Sequence, residues 1–212
     1  DYKYAGSEPY TAIFHRARSL RRMVDPVGHP ATKHIFYVRV KDMPTNVSND
    51  ANPRDTNTRR AVYRGITESL LGTEDTDDIG WFHYKHHGIT ILADDVVVKD
   101  LGKDEHNVEV KFLGHPRGSI DGGHSMQLFR EVLKDLTKTI PDEQYVQVNV
   151  LVGIPDDQIP KIAGGLNTGM QVKQHSLDNL SNLFDGIKCV LADMPYADKV
   201  SYRENEDLPI SI

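Results

Sequence analysis

Apolar residues two positions apart mark the first elements of this chain. Phe36, Val38 and Val40 alternate with polar neighbours over residues 34–40, and Val146, Val148, Val150 and Val152 alternate with Gln147 and Asn149 over residues 145–152. Each pattern predicts a half-buried strand. Strands are also expected at residues 89–93, 96–98 and 108–113, where β-branched residues gather, with residues 100–107 as a turn. Elsewhere the spacing lengthens to that of a helix. Val62, Ile66 and Leu70 predict one helix that stops at Gly72, and Met126, Leu128, Phe129, Val132, Leu133 and Leu136 predict a second. Leu177, Leu180, Phe184, Ile187 and Leu191 predict a third, capped by Ser176. Residues 155–163 suggest a short helix, and residues 164–169 a glycine-rich loop.

Two stretches are less regular. Residues 10–24 mix apolar positions with His15, Arg16, Arg18, Arg21 and Arg22, and the pattern fits a strand or a helix. Residues 81–93, dense in aromatics and histidines, read as strand, turn, strand. A strand before Gly122, the helix after it and the strand at 145–152 would form a right-handed β-α-β unit. The expected class is therefore α/β, a mixed sheet with flanking helices. Its expected organisation is an N-terminal strand and basic segment at 1–45, a core domain at 46–195 and a C-terminal tail at 196–212.

Composition narrows the function classes. The 212 residues are 38% hydrophobic and 26% charged, an ordinary globular balance, with a formal charge of -6. That charge argues against coating nucleic acid through the overall field and leaves a local basic groove as the only electrostatic route to it. The lone Cys189 excludes an internal disulfide, and no apolar run is long enough to span a membrane. A cytoplasmic protein without membrane contact is expected, and the tail after Asp207-Leu208-Pro209 is expected to lead into a further C-terminal domain.

Candidate chemistry gathers at Asp121-Gly122-Gly123-His124-Ser125, between a strand and a helix. Adjacent glycines let backbone approach a ligand, and a helix start presents N–H donors at the positive end of its dipole. The alternative is that Asp121 merely caps the helix while the glycines turn the chain. His124 is placed for general acid or base work. His83, His86 and His87, with His124 and Asp121, carry imidazole and carboxylate ligand types, but their spacing matches no metal signature and no metal ligand is assigned. Arginines 54, 59, 60 and 64 lie at or near a helix start, where their charge opposes the dipole and asks for acidic or anionic partners.

A family resemblance rests on Asn52-Pro53-Arg54, Phe82-His83-Tyr84-Lys85-His86-His87-Gly88-Ile89-Thr90, Ile120-Asp121-Gly122-Gly123-His124-Ser125 and Leu166-Asn167-Thr168-Gly169-Met170-Gln171-Val172. In order and approximate spacing these resemble the abortive-infection phage-resistance (AIPR) proteins of bacteria. The central loop is also similar to the Asp-Gly-Gln-His-Arg loop of the ParB and sulfiredoxin-like group. The resemblance implies a ParB or sulfiredoxin-like core and a role in phage defence or with DNA. It further implies a nucleotide or nucleic-acid phosphate as ligand, nucleotide or phosphodiester hydrolysis, and a nucleotide with a divalent metal as cofactors. Catalysis would fall to His124 and Asp121, and phosphate binding to Gly122, Gly123, Ser125, Arg54, Lys85, His87, Arg117, Asn167 and Thr168. Two positions depart from the pattern. His86 and His87 replace a pair of asparagines, and Ser125 stands where the wider group has an arginine, so the cation must come from Arg54, Lys85 or Arg117. The other classes to be weighed are a non-catalytic module recognising DNA or protein, and a metal-dependent hydrolase built on the histidines.

Overall fold

Alternation at residues 34–40 and 145–152 is realised as two neighbouring strands in a computed structural model that describes residues 8–49, 51, 61–73, 79–114, 116–167, 184–201 and 209–211. The strands are β1 (Tyr10–Val24), β2 (Thr32–Arg39), β3 (Ile89–Ala93), β4 (Asp95–Gly102), β5 (Glu105–Phe112), β6 (Gly118–Asp121) and β7 (Tyr145–Val152). They form one mixed sheet in the order β4-β5-β1-β2-β7-β3-β6, in which only the β3–β7 pair is parallel. This confirms the α/β class.

One face of the sheet carries the core. Ala12, Phe14 and Ala17, Phe36 and Val38, Ile89 and Ile91, Val108, Val110 and Phe112, and Val146, Val148 and Val150 turn the same way. Helix α1 (Ala61–Leu71) contributes Leu70 to that core, and helix α3 (Gly123–Lys134) contributes Met126, Leu128, Phe129 and Val132. On the opposite face, helix α4 (Ile159–Asn167) sets Ile159 and Ala163 over Leu92 and Ile120. The chain divides into two compact units, Asp1–Asn167 and Thr168–Ile212. Described parts of the second are helix α5 (Asp185–Leu191) and a parallel pair of two-residue strands, β8 (Val200–Ser201) and β9 (Ile210–Ser211). No helix among the described residues is long and apolar enough to cross a membrane.

Several expectations need correction. Residues 10–24 are a strand, bent where the pairing slips between Phe14 and Ala17 and again between Arg18 and Arg21, with Arg16 and Ser19 at positive φ. Residues 81–85 are not a strand. Trp81 is followed by a helical turn, α2 (Phe82–Lys85), which buries Phe82 alone and leaves Trp81 and Tyr84 outside, so their aromatic character fits no half-buried strand. The turn expected over 100–107 shrinks to Lys103 and Asp104, both at positive φ as in a tight hairpin, because β4 is an edge strand whose polar residues need no buried face. Leu136 is 98% exposed. The Asp135 carboxylate accepts the Thr137 N–H at 3.1 Å and its hydroxyl at 2.6 Å, a local turn that ends α3 before Leu136 can join the stripe.

Strand direction also differs. β6 is antiparallel to β3, and β3 is parallel to β7, so β6, α3 and β7 do not make the parallel crossover unit to which the handedness rule applies. Gly164 and Gly165 belong to α4 instead of a loop, on its exposed side, while Ile159 and Ala163 face inward. In α5, Ile187 is exposed, and Ser176, Leu177 and Leu180 lie outside the described residues.

Gln144 ties the helical layer to the sheet. It is fully buried; its Nε2 donates to the Ser69 and Leu70 carbonyls at 2.9 and 3.0 Å, and its Oε1 accepts the Gly80 N–H at 3.1 Å. Gln144→Leu keeps much of the volume but strands those backbone groups. A loss of about 2 kcal/mol in urea unfolding is expected, against under ~0.5 kcal/mol for Gln127→Ala on the α3 surface. Equal losses in the two variants would refute this role.

Candidate functional site

The β6–α3 junction is built by close backbone contact. Gly122 is the N-cap of α3 and sits in the left-handed region, at φ 80° and ψ 14°. A Cβ there would lie 3.0 Å from the Gly88 carbonyl oxygen and 3.1 Å from Ile89 Cα, so the start of β3 leaves room only for glycine. No side chain caps the helix, whose first bond runs from the Met126 N–H to the Gly122 carbonyl. Asp121 is therefore not the N-cap. Its Oδ1 accepts the Gly122 N–H at 2.8 Å, while its backbone pairs with Thr90 of β3.

His86, which the sequence offers only as a metal-ligand type, bonds to this turn. His86 Nδ1 accepts the Gly88 N–H at 2.9 Å, so the ring proton belongs on Nε2, which donates to Ser125 Oγ at 2.7 Å. The ring stacks on Phe82 at 5.1 Å and lies 5.8 Å from Phe129. Burial first, and the neighbouring His87 second, push His86 down from 6.5 to about 4, so the ring is neutral at pH 7. Ser125 Oγ thus accepts a hydrogen bond from the imidazole. A serine nucleophile would need the imidazole to take its proton, so this pair organises Ser125 without activating it. The only signal for it in the sequence is the His86-His87-Gly88 turn before a strand.

The remaining candidates are distributed unevenly. Arg117 Nε donates to Asp94 Oδ1 at 2.9 Å, and its Nη1 and Nη2 each reach Asp156 Oδ1 at 3.2 Å, so its fork is engaged by two carboxylates behind β6. Lys85 closes α2, and it and His87 are exposed on either side of His86. His124 stands half-buried in the first turn of α3, and Gly123 beside it is buried. Arg54, Thr168 and the side chain of Asn167, the last residue of α4, lie outside the described residues. The histidines do not converge. His83 packs edge-on against Tyr37 at 5.5 Å, away from the bonding of His86, and no group of three metal-ligating side chains exists among the described residues.

The sequence model of one protein family, described as AIPR protein, matches residues 50–207, which include α1 to α5 and the whole β6–α3 turn. No curated protein and no solved structure gives a significant match to the chain.

Proposed function

The chain belongs to the AIPR family, that of abortive-infection phage resistance, and from that premise we propose that its part in antiviral defence is to bind a phosphate-bearing ligand where β6 turns into α3. The ligand is a nucleotide or the end of a nucleic acid. The observation that carries this reading is the helix start: a helix of 12 residues opens on a left-handed glycine with no capping side chain. Such a start collects backbone donors at the positive end of the dipole. Ser125 supports it, because accepting the His86 Nε2–H leaves the serine O–H to donate to a phosphate oxygen. Lys85 is the cation of this reading and the exposed His87 a further hydrogen-bonding group, and the similarity of the loop to the ParB and sulfiredoxin-like group agrees with the ligand class. The organised but unactivated Ser125 favours binding. Hydrolysis in this reading falls to His124 as the proton carrier, with Asp121 orienting it or holding a divalent metal that accompanies a nucleotide.

His124→Glu tests the site. A glutamate in the first turn suits the helix dipole, so the fold is retained, but it repels phosphate. Nucleoside triphosphates and 5′-phosphorylated oligonucleotides are expected to raise the melting temperature of the wild type in a dose-dependent way. The variant should bind at least about tenfold more weakly, ~1.4 kcal/mol, with little change in melting temperature without ligand. Undiminished binding by a folded His124→Glu protein would move the phosphate away from this turn.

A further inference from the structure

The sheet face opposite the core carries a second polar constellation, at the end where α2 crosses. Arg18 of β1 pairs in register with Tyr37 of β2, and Arg39 of β2 with Tyr145 of β7. Cross-strand partners share a face, so both arginines and both tyrosines stand opposite Phe36, Val38 and Val146. Arg39 Nε donates to Tyr145 Oη at 3.2 Å, and the Arg18 guanidinium lies 5.9 Å from the centre of the Tyr145 ring. Tyr37 packs against His83, and Arg18, Arg39 and Tyr145, together with Gly80, His83, Asp142 and Glu143, line an open cleft of about 580 Å³. That is the size of a small-molecule site.

Three features say what fits there. Arg18 spends Nη2 on Glu105 at 2.7 Å, while Arg39 spends Nε on Tyr145 and has Nη1 3.9 Å from Asp142 Oδ2, so Arg18 Nη1 and Arg39 Nη2 are the groups best placed to meet an oxyanion. Glu143 on the same cleft is an acceptor that suits hydroxyl or amine donors, and Asp142, already held by Lys41, adds negative charge that disfavours a bare polyanion. Exposed aromatic rings adjoin the cleft's His83: Trp81 is 58% and Tyr84 74% exposed. Ring contacts run from Trp81 to Tyr84 at 5.7 Å, from Tyr84 to His83 at 4.2 Å and from His83 to Tyr37 at 5.5 Å. Exposed rings beside arginines offer a base a stacking platform and its phosphate a partner. His83 Nδ1 is buried with no hydrogen-bond partner among the described residues. We infer that this cleft binds a ribonucleoside 5′-phosphate, with the phosphate on Arg18 and Arg39, the ribose hydroxyls toward Glu143, and the base on the Trp81–Tyr84 surface. The site goes beyond the β6–α3 turn and shares no lining residue with it.

Trp81 is the only tryptophan of the chain and follows Gly80 of the cleft lining, so its fluorescence is the readout for a base stacked beside the cleft. The 212-residue protein is titrated with AMP, 2′-deoxyAMP, inorganic phosphate and a short 5′-phosphorylated RNA. AMP is expected to quench Trp81 saturably. Inorganic phosphate should bind at least about tenfold more weakly and the deoxy compound a few-fold more weakly, since each lacks part of the recognised chemistry. The RNA arm identifies the source: binding about tenfold tighter than AMP assigns the site to a strand end, and equal binding assigns it to the free nucleotide. Arg39→Leu and Tyr84→Ala should each weaken the AMP response of Trp81 about tenfold, while Gln127→Ala on the α3 surface leaves it unchanged. Tyr84 is mostly exposed, so its variant decides the matter even if Arg39→Leu fails to fold. No quenching by any nucleotide, phosphate binding as tightly as AMP, or full AMP affinity in Tyr84→Ala would overturn the inference. Loss in His124→Glu alone would overturn it and leave the β6–α3 reading standing.

Discussion

Gly118→Ala is expected to destabilise the first unit by roughly 3–5 kcal/mol, among the largest effects of any single methyl group in the chain. Gly118 sits at φ +128°, where an L residue is strained, and a Cβ would fall 2.4 Å from the Ser48 carbonyl oxygen and 2.5 Å from Ser48 Oγ. Neither atom can withdraw cheaply. The Ser48 carbonyl accepts the Ser119 N–H at 2.8 Å, and its hydroxyl donates to the Arg117 carbonyl at 2.8 Å. Backbone strain of about 1–3 kcal/mol adds to about 1 kcal/mol for each hydrogen bond displaced. Because β6 feeds directly into the β6–α3 turn, ligand binding there should fall with stability. Gly114→Ala is the control, since a Cβ at Gly114 meets nothing within 4 Å and its φ is not positive. Urea unfolding of both variants decides it, and losses within ~0.5 kcal/mol of each other would remove Gly118 as a lock on β6.

The central strands were legible because each is buried on one face and therefore writes a period of two. Phe36 and Val38, and Val146, Val148 and Val150, are fully buried while their neighbours are less so. The face of α3 was legible for the same reason, up to Asp135. Strand direction was not. Nothing in Gly118–Asp121 says whether it runs with or against β3, because antiparallel pairing is a property of the assembled sheet. Nor was α2, whose aromatics look strand-like in composition but are left outside except for Phe82. At the site, the glycine pair and its helix could be read locally, since a left-handed glycine before an apolar periodic run is a local pattern. The roles of His86 and Arg117 could not. Ser125 is 39 residues from His86, and Arg117 finds its carboxylates 23 and 39 residues away. His86 bonds to Gly88 and Ser125, and Arg117 to two carboxylates, pairings that only the folded chain brings together.

Lowering the pH from 7 toward 4 should cost the folded unit roughly 3 kcal/mol through His86 alone. The ring is held down to about 4 by burial and then by His87, against an ordinary value of 6.5. As pH falls below 6.5 the unfolded chain takes a proton that the folded chain refuses until about 4. The stability contributed by a neutral His86 is therefore complete above 6.5 and is lost between 6.5 and 4, at about 1.4 kcal/mol per unit. His34 and His83, also lowered by burial, act with the same sign. Carboxylates held low by their partners, such as Asp95 beside Lys111 and Asp142 beside Lys41, lose their contribution as pH falls below about 4, so the range from 5 to 7 isolates the histidines. Urea midpoints across that range should show a slope that His86→Asn reduces by most of its value. An unchanged slope in the variant would mean that His86 titrates normally. The structural consequence follows from the same proton. Once Nδ1 is protonated it faces the Gly88 N–H donor to donor, the turn before β3 must open, and Ser125 loses the bond that orients its hydroxyl. Phosphate binding at the β6–α3 turn should accordingly fall with acid in the wild type more steeply than the phosphate's own titration requires, and less steeply in His86→Asn.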